Sequence, residues 1–259
     1  MKVGIYDIGK VCDISIKERF EIYKKCGFEY VGFYMDNSYI DDGEDYIDML
    51  HIAKDVGLKI DQLHLDYKMS NMMADTMDND YIRYIIDKIN EAKLYNIPYL
   101  VLHASMGNTP PDMSEYMPNR LYDIDKLLDD SDTKLCFENV RCNNNLDKIM
   151  DINLSNFGIC FDSGHANCYS DSLKFLEKYS DKILCTHLHD NMGTDTHDII
   201  FNGNIDWSKV YPLIERSNRG IDYLECFPPR GAKLNRKEFV EFVQNCYNRY
   251  VKLGEYNER

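Results

Sequence analysis

The sequence predicts an α/β fold: one closed (β/α)8 barrel over residues 1–259, with its site at the carboxyl-terminal face of the strands. Three observations predict it. Short apolar runs alternate with longer amphipathic segments about eight times, which implies a parallel sheet wrapped by helices. A length of 259 residues fits one such barrel. Many of the short runs also stop abruptly at a histidine or carboxylate, as in QLHLDY, LVLHAS, LCFENV, ICFDSGH, CTHLHD and YLECF. Packing alone does not end a strand that way. Side chains at the carboxyl ends of successive barrel strands face one mouth, so residues distant in sequence meet there. The rival is an open doubly wound sheet, which needs a glycine-rich phosphate turn after its first strand. IYDIGK has one glycine and no G-x-G-x-x-G.

The elements follow in order. Val3–Tyr6 is the first candidate strand. Ile16–Cys26 sets Ile16, Phe20 and Tyr23 on one helical face, and Gly27 suits its C-cap. Residues 30–34 form the second strand. Residues 45–56 repeat the helical pattern with Tyr46, Met49, Leu50 and Ala53, ending at Gly57. After the third strand, 59–64, a helix over 81–94 carries Ile82, Ile85, Ile86 and Ile89 and is stopped by Asn96 and Pro98. Tyr99–His103, Lys134–Glu138, 158–162 and 183–187 are the next four strands, with helical spacing between them. Asp206 suits the N-cap of a helix over 207–216. The last strand is 222–227, and a helix over 237–253 closes the chain. The longest loops, about 66–79, 105–112 and 191–205, follow strands three, four and seven, on the face where lids belong.

Composition narrows the function. No apolar run approaches the roughly 20 residues of a membrane span. The start, MKVGIYDIGK, enters a strand pattern without a cleavable signal, so a cytoplasmic location is expected. A net charge of −14 disfavours nucleic acid as a partner, because phosphate-backbone affinity rests on Lys and Arg. The nine cysteines are odd in number and contain no C-x-x-C, which argues against a disulfide framework and a thiolate zinc site. Cys136, Cys160 and Cys185 each lie two residues before a strand-end polar residue. Period-two alternation turns them inward as small apolar fillers.

Glu138, Asp162, His187 and Glu225 end strands five to eight. Each alone reads as a helix cap or a solvated charge. Buried together without a cation, the carboxylates would repel one another and take up protons. Three carboxylates and an imidazole suit Mn²⁺ or Zn²⁺, with Co²⁺, Fe²⁺ and Mg²⁺ also compatible. One ion is expected, and up to three are allowed by a second set: His64, His103, His165, Asp195 and His197. D-S-G-H sets Asp162 and His165 across a tight turn, and D-T-H sets Asp195 and His197 on one side of an extended loop. This set either holds further metal or binds substrate hydroxyls. His189 faces inward by parity, to support a ligand or face substrate. His51, in the second helix, reads as structural or surface. Arg141 and Arg230 follow strands five and eight, within reach of a substrate phosphate, although surface arginines explain them equally.

The segment HLHDNMGTDTHDIIFNGNIDW, His187 to Trp207, carries H-x-H-D-N, then D-x-H, then I-D-W. With Glu138-Asn139, D-S-G-H and Glu225, it resembles the xylose isomerase-like TIM-barrel superfamily, of the sugar phosphate isomerase/epimerase type. The resemblance covers nearly the whole chain. It implies a single metal on the positions matching Glu138, Asp162, His187 and Glu225, with the two glutamates as acid–base pair. The activity it implies is metal-dependent isomerisation or epimerisation of a sugar or sugar phosphate, by proton transfer through a metal-bound enediolate. His64, His165 and His189, with Arg141 and Arg230, would then hold substrate. A small carbohydrate is the expected partner, and a homo-oligomer is compatible.

The same nine positions also match the three-zinc site of the endonuclease IV family, which implies a phosphodiesterase acting at abasic DNA. A non-catalytic metal-binding barrel is the third reading. Departures matter here. HLDY replaces the H-A-P-Y of endonuclease IV, and Phe201 replaces the first glycine of G-x-G-x-I-D-W, whose second is Gly203. The apolar run VGFYM stands where many sugar isomerases carry a strand-two glutamate. The loops also lack the basic composition of a DNA-bending enzyme.

Overall fold

Eight strands pair side by side, every neighbouring pair parallel: β1 (Val3–Tyr6), β2 (Tyr30–Gly32), β3 (Gln62–His64), β4 (Tyr99–His103), β5 (Lys134–Glu138), β6 (Phe157–Asp162), β7 (Ile183–Leu188) and β8 (Asp222–Leu224). The computed structural model describes residues 2–37, 40, 44–74, 80–217 and 219–255. The sheet runs β2-β1-β8-β7-β6-β5-β4-β3. Parallel bridges Tyr30↔Lys59 and Tyr34↔His64 join its two edges and close the barrel. The expected strand 59–64 therefore pairs regularly only at Gln62–His64, and its first half contributes a single bridge.

The helices lie between the strands: α1 (Ile16–Cys26), α2 (Tyr46–Val56), α3 (Asp80–Tyr95), α4 (Met117–Leu128), α5 (Asn144–Ile152), α6 (Ser163–Tyr169), α7 (Ser172–Tyr179), α8 (Trp207–Glu215) and α9 (Arg236–Gly254). Local chemistry starts them. Ser15 accepts from the Glu18 N–H to cap α1, and Asp45 with Asp48 forms a capping box on α2. The apolar stripe of α4 is Met117, Leu121, Ile124 and Leu128, all buried. The expected tight turn at D-S-G-H is instead the first turn of α6, which Asp162 caps by accepting from the His165 N–H at 2.7 Å. Of the expected long loops, 105–112 and 191–205 leave the carboxyl ends of β4 and β7. In the loop 66–79, residues 75–79 lie outside the described residues.

The barrel interior is filled in layers. Val101, Cys136, Cys160 and Cys185 form one fully buried cluster, each two residues before the strand-end position that concerns function. All nine cysteines are free thiols. Tyr6, Tyr30 and Tyr223 form a second cluster. Glycines on β1 and β2 make room for it: a Cβ at Gly4 would stand 2.5 Å from the Tyr223 ring, and one at Gly32 would stand 3.1 Å from both Tyr6 and Tyr223. No helix among the described residues is long and apolar enough to cross a membrane.

Candidate metal centre

β5, β6 and β7 bring Glu138, Asp162 and His187 to the mouth, and Glu225 follows β8 directly. Their four donor atoms lie within 4.8 Å of one another, and all four residues are buried. The His187 Nδ1 stands 3.1 Å from Glu225 Oε2 and 3.4 Å from Glu138 Oε2. Yet neither ring nitrogen of His187 makes a hydrogen bond. The distances are short, but the angles are wrong for N–H···O. A buried imidazole with both nitrogens unpaired is costly. A cation among the four donors would use the Nδ1 lone pair and cancel the carboxylate repulsion, so these residues fit a divalent ion.

Two further donor groups flank the quartet: His64, His103 and Glu138, and His165, Asp195 and His197. Glu138 is the hub. Its Oε2 lies 3.0 Å from His64 Nε2 and 3.3 Å from His103 Nε2, and its Oε1 lies 2.9 Å from His165 Nδ1. Asp195 spans His165 Nε2 at 3.3 Å and His197 Nδ1 at 3.2 Å.

A fourth grouping, Asp162, His189, His197 and Glu225, satisfies distance alone. The rings of His189 and His197 stack at 3.9 Å and 4°. Parallel rings keep their lone pairs in separate planes, so one ion cannot lie in both. His189 Nε2 instead donates to Asp162 Oδ2 at 3.1 Å. His189 is fully buried, with this nitrogen aimed at Asp162. Asn139 clamps the same aspartate. It accepts from the Asp162 N–H and donates to the Asp162 carbonyl, both at 2.8 Å.

Opposed charges set the protonation. Burial disfavours ionised Glu138 and Glu225, but neighbouring imidazoles, His187 first, outweigh it and hold both well below the carboxylate range. Burial likewise opposes charge on His187 and His165. Glu225, Tyr6 and Glu138 raise the first well above ordinary imidazole, and Asp162, Asp195 and Glu138 raise the second. For His103 burial prevails, and its pKa is lowered.

The limb carrying Asp195 and His197 is folded by Asp190, whose carboxylate accepts from Asn191 N (2.9 Å), Phe201 N (3.0 Å), Ile205 N (3.2 Å) and Trp207 Nε1 (2.9 Å). A Cβ at Gly203 would fall 2.1 Å from Asp190 Oδ1 and 2.3 Å from the Asn191 carbonyl, which explains the retained glycine. Phe201, in place of the motif's first glycine, keeps a left-handed backbone at φ 69°. His197 is also left-handed, at φ 53°. The expected extended D-T-H is thus broken by the left-handed His197, although its two side chains still meet.

The remaining expected residues lie outside the buried centre. Arg141 is exposed, donates to Asn108 Oδ1 at 2.5 Å and Tyr169 Oη at 2.9 Å, and lies 4.6 Å over the Tyr169 ring. Tyr169 in turn stands 6.1 Å from His165. Arg230 is exposed on the loop after β8, and His51 is exposed on α2. Sequence reasoning missed an aromatic wall. The Tyr34 Oη lies 3.5 Å from Glu225 Oε1, Tyr67 stacks on His103 at 5.1 Å, and Phe227 stacks on His197 at 4.9 Å. Tyr34 falls at the end of its apolar run, as the histidines and carboxylates do, but an aromatic there reads as core.

Fold and site define a barrel whose strand ends converge on a carboxylate–imidazole centre. The family model described as xylose isomerase-like TIM barrel matches residues 20–246, and the chain belongs to that family. Solved structures share the fold. The IolI protein with a bound zinc atom superposes with TM-score 0.77 at 18% identity, over 99% of both chains. An L-ribulose 3-epimerase gives 0.74 at 14%, covering 100% of this chain and 96% of its own. A D-psicose 3-epimerase from Clostridium cellulolyticum H10, solved with D-tagatose, gives 0.74 at 13%, covering 97% and 99%. Curated relatives match over shorter stretches. The uncharacterised protein y4fM of Sinorhizobium fredii is 38% identical over 63 residues, 24% of this chain and 20% of its own length. The uncharacterised protein MJ1311 of Methanocaldococcus jannaschii is 36% identical over 106 residues, 38% and 36% respectively.

Proposed function

We propose that this protein is a divalent-metal-dependent isomerase or epimerase of small ketoses or their phosphates. The observation that carries the reading is the pair Glu138 and Glu225. Both carboxylates are buried, both face the unpaired Nδ1 of His187, and they enter from strands three places apart. Glu138, Asp162, His187 and Glu225 would hold the ion, with Mn²⁺ or Zn²⁺ suited to the donors. When bound, such a cation polarises a carbonyl and acidifies the neighbouring C–H.

The chain's own residues then move the proton. One glutamate removes it from the carbon beside the carbonyl, leaving a planar enediolate. The other returns it to the opposite face, which epimerises, or to the adjacent carbon, which isomerises. Glu138 is tied to His64, His103 and His165, whereas Glu225, among the described residues, faces His187, His197 at 3.7 Å and the Tyr34 hydroxyl at 3.5 Å. Glu225 is therefore the freer base. Tyr34 stands beside it to hold a substrate oxygen, and His165 faces the mouth from the first turn of α6. Tyr34, Tyr67 and Phe227 shield the site from water. His64 is buried between Glu138 and the Leu65 carbonyl, so it supports the centre rather than binding substrate.

The test is wash-in of deuterium. Protein loaded with Mn²⁺ or Zn²⁺ is incubated in D₂O with a panel of ketoses and ketose phosphates and followed by proton NMR. At least one should exchange a single C–H, in a metal-dependent way. No exchange by protein with a filled quartet would defeat the proposal. A second reading, a trinuclear phosphodiesterase, is favoured by the two flanking donor groups. The net charge of −14 works against it. Metal-dependent nicking of abasic duplex DNA, lost on His103→Ala, would reverse the ranking.

A further inference from the structure

Each other histidine of the centre has a hydrogen-bond or carboxylate partner that fixes its ring. His64 has the Leu65 carbonyl at Nδ1, His165 has the Asn139 carbonyl, and His189 has Asp162. His187 is different. Its Nδ1 faces Glu138 and Glu225, and its Nε2 is buried with no partner. Ligating histidines almost always hand their second N–H to an oxygen, which fixes the tautomer and aims the lone pair. The group packed on His187 is Tyr6, from the end of β1. The two rings meet edge to face at 4.7 Å and 74°. Tyr6 is also fully buried, and its hydroxyl is also without a partner. Burial raises the phenol well above its ordinary pKa, so it stays a neutral hydroxyl that can accept. Its ring is confined between Gly32, where a Cβ would come within 3.1 Å, and Tyr223 at 5.7 Å.

We propose that Tyr6 is the positioning residue for His187: its hydroxyl takes the Nε2–H, directly or through one buried water, and so leaves Nδ1 bare toward the cation. The inference rests on the metal-centred reading above. It explains how a ligand whose Nε2 has no backbone or carboxylate partner presents the correct nitrogen. Without the Tyr6 hydroxyl, the neutral ring would shift to the Nδ1–H tautomer, which the two glutamates attract. That tautomer cannot bind the ion through the nitrogen that faces it.

The test is Tyr6→Phe, which keeps ring and volume. Zn²⁺ affinity is measured by competition with a chromophoric chelator, and the ring nitrogens of His187 are followed by ¹⁵N NMR. The variant should bind Zn²⁺ about 10–100-fold more weakly, the range for lost outer-shell partners. In its metal-free form, at a pH high enough for the His187 ring to be neutral, the ¹⁵N shifts should move toward the Nδ1–H tautomer. Unfolding of the metal-free protein is followed by far-UV circular dichroism, and any loss of stability should come together with the change in shifts, because the Nε2–H is left without its acceptor. Tyr34→Phe, beside Glu225, should leave the His187 shifts alone. Wild-type affinity and shifts in Tyr6→Phe would overturn the inference. So would a loss of metal-free stability with unchanged shifts, since packing alone would then explain the weaker binding. Wild-type protein that takes up no Zn²⁺ would overturn the metal-centred reading itself.

Discussion

Asp190→Asn tests how the limb 191–205 is held. Asp190 is fully buried and accepts four N–H groups, two on each oxygen: Asn191 N and Ile205 N on Oδ1, Phe201 N and Trp207 Nε1 on Oδ2. An asparagine keeps the shape but turns one oxygen into an NH₂. Either orientation of the amide aims that group at two N–H donors, so two hydrogen bonds are lost. Bonds to a charged acceptor contribute about 1.5–3 kcal/mol each, so the loss is roughly 3–6 kcal/mol. Phe201 is half-buried and can recruit water, so the lower end, about 3 kcal/mol, is expected. At about 2–4 °C per kcal/mol for a chain of this size, Tm should fall by about 6–12 °C. Circular dichroism reads the melt. Trp207, the single tryptophan, reports locally, because its indole N–H donates to Asp190. A Tm shift below about 2 °C with unchanged Trp207 emission would refute the argument.

Glu225→Gln should lower turnover by about 10²–10⁴, the range for a general acid–base group, with a much smaller loss of metal because three ligands remain. Excess Mn²⁺ should partly restore Asp162→Asn but not Glu225→Gln, and full rescue of the latter would make Glu225 a ligand only. Gly203→Ala should destabilise by at least the roughly 1–3 kcal/mol of overpacking, since the new Cβ meets backbone and the Asp190 carboxylate rather than a flexible side chain. A melting curve like wild type would show that the limb can shift.

The barrel was legible because its signals are local and repeated. Apolar runs located the strands, and those ending in a histidine or carboxylate brought Glu138, Asp162, His187 and Glu225 to one mouth. The turn at D-S-G-H was misread because Asp162, read as a candidate ligand, is also a helix cap, and the cap decides the backbone. His197 was assigned an extended backbone because alternation is the default for a short loop. The left-handed residue depends on Asp190, seven positions away, and on its exchange of backbone hydrogen bonds with Asp198 at 2.8 Å. The placement of Tyr6 and Tyr34 beside the centre was invisible for a different reason. Nothing in their own spacing separates an aromatic that fills a core from one that meets a ligand.

Protons do for the metal-free centre what cations do for the loaded one, and this allows the ions to be counted. Burial works against the charge on His165, His187 and His197, but the acids around them prevail: Asp162, Asp195 and Glu138 at His165, Glu225 and Glu138 at His187, and Asp195 and Glu225 at His197. His165 and His187 lie well above ordinary imidazole, and His197 is pushed up to about 10. His103 is lowered by burial and carries no proton near neutrality. A cation needs a bare nitrogen, so binding expels the proton. Near pH 8, filling the quartet alone should release about one proton, from His187, and filling the His165–Asp195–His197 group as well should release about three. Apparent affinity should rise with pH, and the His197 contribution should vanish as pH passes about 10. Calorimetric Zn²⁺ titrations in buffers of different ionisation enthalpy measure the number. One proton and one ion per chain favour the isomerase centre. Three of each favour the trinuclear arrangement. A binding heat independent of buffer would mean that the imidazoles are already bare, and that protons do not balance the buried carboxylates.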